Sequence, residues 1–401
     1  MELNALRAAL RGLSAYRKLT AQPVLLQMGR LLDALAQGRG EEALDAYTAV
    51  FYHLREEGFS GLGDWLWDRL RYTETPYALL AQRGGSDPAL ENGARRDVDT
   101  FVLLAETDCD RCVDAMKELL PNEYAPVLAA LPRWRAAAPF DFEALTQFYR
   151  EHGAGLYARY QAFLWEEGQL VPVPDPDCPR PEDLLGYELQ RDQVEANTRQ
   201  LMAGHPANNV LLFGDGGTGK SATVKSMLYL PGMEDLRLIE IQKENLTGLP
   251  QLMRSLGGRR QKFILFIDDL AFDQDDKTYS SLKTILEGSL ERRPANVAIY
   301  ATSNRRHLVK ESFSGRDGDD VHRNDTMQEI ISLSERFGIQ VTFQKPNKET
   351  YLGIVRHLAE EKGVIMDANE LDMLAERYAL GRGGRSARAA TQFIDGLLAK
   401  Q

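Results

Sequence analysis

Residues 214–221 read Gly-Asp-Gly-Gly-Thr-Gly-Lys-Ser, a spacing that suits a loop wrapped around phosphate groups. Glycines let successive backbone N–H groups point at phosphate oxygens, and the lysine and serine add a positive charge and a hydroxyl ligand. We expect Lys220 to contact the β and γ phosphates of ATP and Ser221 to coordinate Mg²⁺. An apolar run precedes the loop and a helical pattern follows it. The candidate nucleotide-binding residues of this loop are Gly214, Asp215, Gly216, Gly217, Thr218, Gly219, Lys220 and Ser221.

A second apolar run, residues 263–267, ends on two adjacent acids, Asp268 and Asp269. Burying an unpaired carboxylate is costly and neighbouring carboxylates repel each other, so a metal ion or a lysine is expected nearby. We expect Asp268 to hold the Mg²⁺ and Asp269 to polarise the water that attacks the γ-phosphate. Two acids at a solvated strand end would be the alternative if this run stood alone.

Changes of pattern divide the chain. Residues 1–170 carry apolar residues at helical spacing and predict an all-helical N-terminal domain. Residues 171–181 contain five prolines and predict an extended linker. Residues 182–345 alternate short apolar runs with helical segments, which predicts an α/β fold with a five-stranded parallel sheet of the phosphate-loop NTPase type. Residues 346–401 predict a C-terminal helical lid.

Composition limits the partners of the chain. Its formal charge is −11, and residues 1–180 carry 19 Lys and Arg against 27 Asp and Glu. Because an acidic surface repels phosphate backbones, nucleic acid is not favoured, and a protein partner is expected for the N-terminal domain. No apolar run approaches the length of a membrane span, and the first residues are typical of a helix rather than a signal peptide. We therefore expect a cytoplasmic protein without a membrane partner.

Two smaller patterns have structural interpretations. Cys109 and Cys112 have the spacing of a redox or zinc half-site, but no second ligand pair lies near them, so plain reduced cysteines are expected. The polar, glycine-containing segment at residues 311–325 predicts a mobile loop.

Residues 181–400 resemble the AAA+ ATPases. The resemblance is closest to a little-characterised bacterial group, with more distant similarity to replication initiators and helicase loaders. It rests on the phosphate loop, the paired acids and the segment "DLLGYELQRDQVEANTRQLMAGHPANNVLLFGDGGTGKS". The resemblance implies that Leu185, Gly186 and Tyr187 hold the adenine. It also implies that Asn304 is the sensor-1 residue that orients the lytic water.

The same resemblance implies two roles for arginines. Arg336, in "LSERFGIQVTF", matches the arginine finger that contacts the γ-phosphate of a neighbouring subunit, which implies a homo-oligomer. Arg385, in "GRGGRSARAATQF", matches the sensor-2 arginine at the start of the last lid helix, and Arg388 is the alternative.

These motifs predict Mg²⁺-dependent ATP hydrolysis that drives remodelling of an unidentified macromolecular partner. The Asp-Asp pair departs from the Asp-Glu pair usual in AAA+ proteins, which leaves open a nucleotide-dependent assembly switch or scaffold with little turnover. A DNA-acting factor similar to the helicase loaders is the other alternative. The segment at residues 243–260 lacks the aromatic-hydrophobic-Gly triplet of protein-threading pore loops, which is evidence against an unfoldase.

Overall fold

The computed structural model describes residues 3–272, 282–283, 285–286, 293–304 and 333–399. The predicted loop at residues 311–325 lies outside these residues. The chain divides into two compact units, Met1–Arg159 and Tyr160–Gln401. Among the helices described, none combines the length and the apolar character needed to cross a membrane.

Residues 3–159 form α-helices that surround one apolar core. The core residues recur at helical spacing, as Val24, Met28 and Leu31 do on the second helix, and all three are fully buried. The helices are α1 Leu3–Arg11, α2 Pro23–Ala36, α3 Gly40–Glu56, α4 Leu62–Tyr72, α5 Pro76–Ala81, α6 Pro88–Ala105, α7 Cys109–Leu119, α8 Ala125–Ala130, α9 Phe142–His152 and α10 Leu156–Arg159.

Cys109 and Cys112 are buried residues of the N-terminal half of α7, and both are free thiols. Burial raises the pKa of Cys109, and it raises the pKa of Cys112 to about 12. A high pKa keeps a thiol in its unreactive, protonated form. Within the described residues, no group of three or more His, Cys, Asp or Glu side chains could hold a metal ion.

The second unit contains a sheet of seven strands among the described residues, where five were predicted. The two additional strands are β1 Ala162–Glu166 and β2 Gln169–Val173, which form an antiparallel hairpin. These residues lie in the segments predicted to be the helical domain and the proline-rich linker. The hairpin turns on Glu167 and Gly168, both with positive φ (49° and 79°). A glutamate rarely adopts this conformation, so the turn lacks the Asn-Gly or Asp-Gly signal that predicts a hairpin.

The remaining strands are parallel to one another, and β1 pairs in parallel with the second of them in sequence order, Leu236–Ile241. The order across the sheet is β2-β1-β4-β5-β6-β3-β7. Alternate residues such as Leu212, Phe266 and Tyr300 form one buried face, which packs against Val194 and Val224 of the adjacent helices. The elements are α11 Glu188–Met202, β3 Val210–Gly214, α12 Lys220–Ser226, β4 Leu236–Ile241, α13 Leu249–Leu256, β5 Lys262–Ile267, β6 Val297–Ser303 and β7 Ile339–Phe343.

Three helices follow the sheet and form a C-terminal bundle with its own apolar core. They are α14 Lys348–Glu361, α15 Ala368–Gly381 and α16 Ala387–Leu398. Tyr351, Val355, Ala375, Ala390 and Ile394 are fully or almost fully buried between them.

Candidate nucleotide site

A cavity of about 550 Å³ lies at the carboxyl ends of β3, β5 and β6, and we call it the strand-end cavity. These strands are neighbours in the order β5-β6-β3, so the segments that follow them meet at one edge of the sheet. The cavity is lined by residues 216–223 after β3, Asp268 and Asp269 after β5, and Thr302 and Asn304 at the end of β6. Residues 183–187 and parts of α14 and α16 complete the lining.

The start of the phosphate loop is fixed by the neighbouring strand β7. Gly214 has a φ of 134°, and an added Cβ would lie only 2.0 Å from the carbonyl oxygen of Phe343. Only glycine fits a position with both this conformation and this close approach. The next residue, Asp215, donates its backbone N–H to the same Phe343 carbonyl over 3.0 Å. Its carboxylate accepts the backbone N–H of Lys345 at 3.0 Å.

Lys220 is the first residue of α12, and its ammonium lies inside the loop. Its Nζ donates to the carbonyl oxygens of Gly214 and Asp215 at 2.9 and 2.7 Å, and to Asn304 Oδ1 at 3.1 Å. The residue is 6% exposed, and burial lowers its pKa although nearby carboxylates oppose this effect. The structure thus holds one cation at the centre of the loop, where a phosphate group would be stabilised.

Asp268 is held by two hydroxyl groups. Ser221 Oγ donates to Asp268 Oδ1 over 2.6 Å, and Thr302 Oγ1 donates to the same oxygen over 2.5 Å. The Ser221 hydroxyl and a carboxylate oxygen are therefore within reach of one ion. Mg²⁺ at nucleotide sites takes one or two protein oxygens and fills its other positions with water and phosphate oxygens. This donor set fits Mg²⁺.

Asp269 adopts a left-handed conformation with a φ of 51°, which costs of order 1–3 kcal/mol for a residue other than glycine. Its backbone N–H donates to Thr302 Oγ1 at 2.9 Å, and its carboxylate accepts Asn304 Nδ2 at 2.8 Å. Since Asn304 Oδ1 accepts from Lys220, the amide of Asn304 bridges the lysine and the acid. The structure brings together Lys220, Ser221, Asp268, Asp269 and Asn304, all five of which were named from sequence.

Gly186 and Tyr187 also line the strand-end cavity. Both have positive φ, 73° and 60°, and they turn the chain into α11. The Tyr187 hydroxyl donates to the Gln344 carbonyl at 2.6 Å, and its ring lies 5.1 Å from that of Phe343. Burial, with a smaller contribution from Asp215, raises the pKa of Tyr187 to about 12, so the hydroxyl stays a donor at neutral pH. The apolar residues of the same lining include Leu184, Leu185, Ile354 and Leu358.

The two arginines considered for sensor 2 occupy different places. Ser386 is the N-cap of α16, and Arg388 lies in its first turn. Arg388 lines the strand-end cavity, and its backbone N–H donates to the Gly217 carbonyl at 3.3 Å. Arg385 precedes the helix, does not line the cavity, and forms a two-bond ion pair with Glu376 at 2.7 and 2.8 Å. The geometry therefore favours the alternative, Arg388, over Arg385.

Arg336 is exposed, directly after the helical turn at residues 333–335 that leads into β7. It does not line the strand-end cavity of its own chain. Its role in the site of another subunit stays a prediction.

Thr302 is a site residue that was not predicted from the sequence. Thr302 is 2% exposed, and its hydroxyl links the carboxylate of Asp268 to the backbone of Asp269. The sequence signal for Thr302 was a hydroxyl side chain two residues before Asn304 in "YATSN", at the end of an otherwise apolar run.

Comparisons with known proteins give one family and a set of distant structures. The model of a family described as "Protein of unknown function (DUF815)" matches residues 158–401. No curated protein matches the chain.

The solved structures similar to the chain include several of RuvB from Thermotoga maritima. One RuvB variant is 18% identical and covers 54% of this chain and 63% of its own, with a TM-score of 0.39. A second variant is 17% identical, with coverages of 54% and 64% and a TM-score of 0.39. RuvB described as a Holliday junction branch migration motor is 17% identical, with coverages of 54% and 63% and a TM-score of 0.37. The chain spans less than two thirds of the length of these RuvB chains.

Proposed function

We propose that this chain, which belongs to the family described as "Protein of unknown function (DUF815)", is an AAA+ ATPase that hydrolyses ATP with Mg²⁺ and remodels a macromolecular partner. One observation carries the proposal: the lysine and serine of the phosphate loop meet two acids and an amide in a single cavity. The apolar residues that line the same cavity provide a surface for a base.

In this proposal the loop binds the phosphates of ATP. Backbone N–H groups of residues 216–221 surround the β-phosphate, and the Lys220 ammonium exchanges its carbonyl partners for β and γ oxygens. Ser221 and Asp268 hold Mg²⁺, which neutralises charge on the phosphates when it is bound. Gly186 and Tyr187 contact the adenine. The cavity supports this arrangement because its lining contains both the charged side chains near the phosphate loop and apolar side chains.

Hydrolysis needs a base and a group that orients water, and Asp269 and Asn304 are the residues proposed for these roles. Asp269 accepts a proton from the water that attacks the γ-phosphate. The Asn304 amide already contacts both Lys220 and Asp269, so it is within reach of the same reacting groups. The left-handed backbone of Asp269 sets the direction in which its short side chain points.

The C-terminal bundle is proposed to act as a lid, with Arg388 as the residue that contacts the nucleotide. Replacing Arg388 with alanine should weaken ATP binding several-fold, because a charge-assisted contact to phosphate is lost. Replacing Arg385 with alanine should have a smaller effect on affinity and instead lower the thermal stability of the bundle, since it breaks the pair with Glu376. Titration of a fluorescent ATP analogue and thermal unfolding of both variants check this. A larger loss of affinity for Arg385→Ala would restore Arg385 as the sensor residue.

Nucleotide binding itself is tested with Lys220→Ala. We expect ATP affinity to fall by about an order of magnitude or more, because the charge that faces the β and γ phosphates is removed. Lys225→Ala is a matched control, since Lys225 lies on the same helix, pairs with Glu240 and does not line the strand-end cavity. Isothermal titration with ATP and Mg²⁺ gives both affinities. Unchanged binding by the Lys220 variant would contradict the assignment of the loop.

Steady-state turnover then separates the proposed ATPase from its alternatives. Negligible turnover by a chain that binds ATP tightly would support a nucleotide-dependent switch or scaffold. Stimulation of turnover by single-stranded DNA would support a DNA-acting factor. The proposed homo-oligomer is tested through Arg336.

A further inference from the structure

A second cavity, of about 300 Å³, lies in the N-terminal unit between α1, α2 and the turn at Arg17–Ala21. We call it the leucine–arginine cavity. Its lining includes four leucines that are at most 7% exposed, namely Leu10, Leu13, Leu25 and Leu32. Gly29 of α2 also lines it, and an added Cβ there would lie 3.9 Å from Leu10 Cδ2. The interior of the cavity is therefore apolar.

Four arginines line the same cavity, Arg7, Arg11, Arg17 and Arg30, together with a single carboxylate, Asp33. Arg7 Nε donates to Asp33 at 2.5 Å, and Arg11 Nη2 donates to both of its oxygens at 2.8 and 2.9 Å. Burial raises the pKa of Asp33, but the hydrogen bonds from the two arginines outweigh it and lower the pKa overall. Asp33 is thus ionised at neutral pH and neutralises about one of the four positive charges.

Arg17 and Arg30 are exposed, and within residues 3–272 neither forms an ion pair with a carboxylate. In the part of the chain that the structure describes, Arg30 donates to the neutral side chain of Gln27, at 3.2 Å. Residues 1–180 have more acidic than basic side chains, with 27 Asp and Glu against 19 Lys and Arg. Arg17 and Arg30 therefore place positive charge that no carboxylate among the described residues neutralises around an apolar cavity, although the region that contains them has a net negative charge.

We propose that the leucine–arginine cavity binds an acidic-apolar peptide segment of a partner protein. One large apolar side chain of the segment, such as Leu, Met or Phe, enters the hollow, and flanking carboxylates pair with Arg17 and Arg30. A volume near 300 Å³ is at the lower end of ligand pockets, which suits one side chain and its neighbours. Arginine forms two parallel hydrogen bonds with a carboxylate, so the rim can also fix the direction of the segment.

An anionic membrane would be attracted by the same arginines, but the leucines favour a peptide. The four interior leucines are recessed, and at this cavity only Leu26 is a largely exposed leucine, at 51%. A flat lipid surface cannot reach a recessed apolar wall, whereas a single side chain can. The proposal does not depend on nucleotide binding, and its test is carried out without nucleotide.

The test uses the full chain and fluorescein-labelled octapeptides. One library places a single Leu, Met or Phe between Asp or Glu residues, a second replaces each acid by its amide, and a third replaces the apolar residue by Ser. Fluorescence anisotropy should show the first library binding at least about tenfold more tightly than the other two, because each lacks one of the two interactions. Binding should weaken as salt increases. Equal affinity for the three libraries would overturn the proposal.

Two variants locate the binding site. The double variant Arg17→Gln, Arg30→Gln removes two exposed charges and should weaken binding at least about tenfold. Gly29→Met fills the hollow but keeps every charge, and it should abolish binding without lowering the melting temperature, since methionine favours the helix more than glycine. Arg111→Gln, an exposed arginine of α7 outside the cavity, is the control. Unchanged affinity in both cavity variants would refute the site. Binding to phosphatidylglycerol vesicles in place of peptides would show that the ligand is a membrane.

Discussion

Arg336→Ala is expected to bind ATP almost normally and yet to hydrolyse it about 10³–10⁵-fold more slowly than the parent chain. In the proposed oligomer, Arg336 contacts the γ-phosphate of a neighbouring subunit and stabilises charge in the transition state. The residue is exposed and does not line the strand-end cavity of its own chain, so its loss should leave ATP binding there intact. Turnover and ATP affinity, measured on the same preparation, give the comparison. Arg377→Ala, an exposed arginine of α15, is the control.

An arginine finger that acts between subunits has two further consequences. Specific activity of the parent chain should rise with protein concentration until the oligomer is saturated, and ATP should promote assembly. Mixing Arg336→Ala with Lys220→Ala chains should restore part of the activity, because some interfaces then pair an intact site with an intact arginine. Light scattering with ATP and the mixing assay check this. A monomer with concentration-independent turnover would refute the trans role.

Asp269→Asn is expected to retain ATP and Mg²⁺ while its turnover falls at least about 100-fold, because asparagine cannot accept the proton of the attacking water. The exchange preserves the size of the side chain, and asparagine tolerates the left-handed backbone at this position about as well as aspartate does. Loss of activity should therefore come from chemistry rather than from a folding defect. Single-turnover hydrolysis with bound radiolabelled ATP measures it.

Asp268→Asn provides the contrast to Asp269→Asn. Its main effect should be a higher Mg²⁺ concentration for half-maximal activity, because Asp268 and Ser221 are the proposed ligands. Asp192→Asn, on the exposed face of α11, is the control for loss of a negative charge. Normal hydrolysis by both the Asp268 and the Asp269 variants would mean that the two acids are structural.

The site residues that lie at or just after the ends of strands could be predicted from the sequence. Lys220, Asp268 and Asn304 each follow or end an apolar run, and parallel neighbouring strands bring such positions to one edge. Thr302 was missed because its contribution depends on which face of β6 it occupies and on the hydroxyl contact with Asp268. The preference for Arg388 over Arg385 depends on where α16 begins, and the N-cap Ser386 places one arginine before the helix and the other inside it.

The number of strands could not be predicted from the sequence, for a different reason. The run at residues 162–166 is short and apolar, and such a run fits a strand or a buried helix equally well. Its strand character comes from pairing with β4, in which Ala162 lies opposite Leu238, 76 residues further along the chain. The local sequence pattern of β1 contains no information on its pairing with β4. The Glu-Gly turn that follows β1 does not predict the strand either.

The hydrogen bonds near Lys345 determine which backbone torsions could rotate the C-terminal bundle relative to the sheet. Its backbone N–H is bonded to Asp215 of the phosphate loop, so the chain is still fixed to the sheet at this residue. Asn347 caps α14 through its side chain, so the helix is already rigid two residues later. Pro346 lies between them, and its ring fixes φ. A rotation of the bundle about its covalent connection would therefore use the ψ of Pro346 and the torsions of Asn347, and it would break the hydrogen bond from Lys345 Nζ to the Gly383 carbonyl.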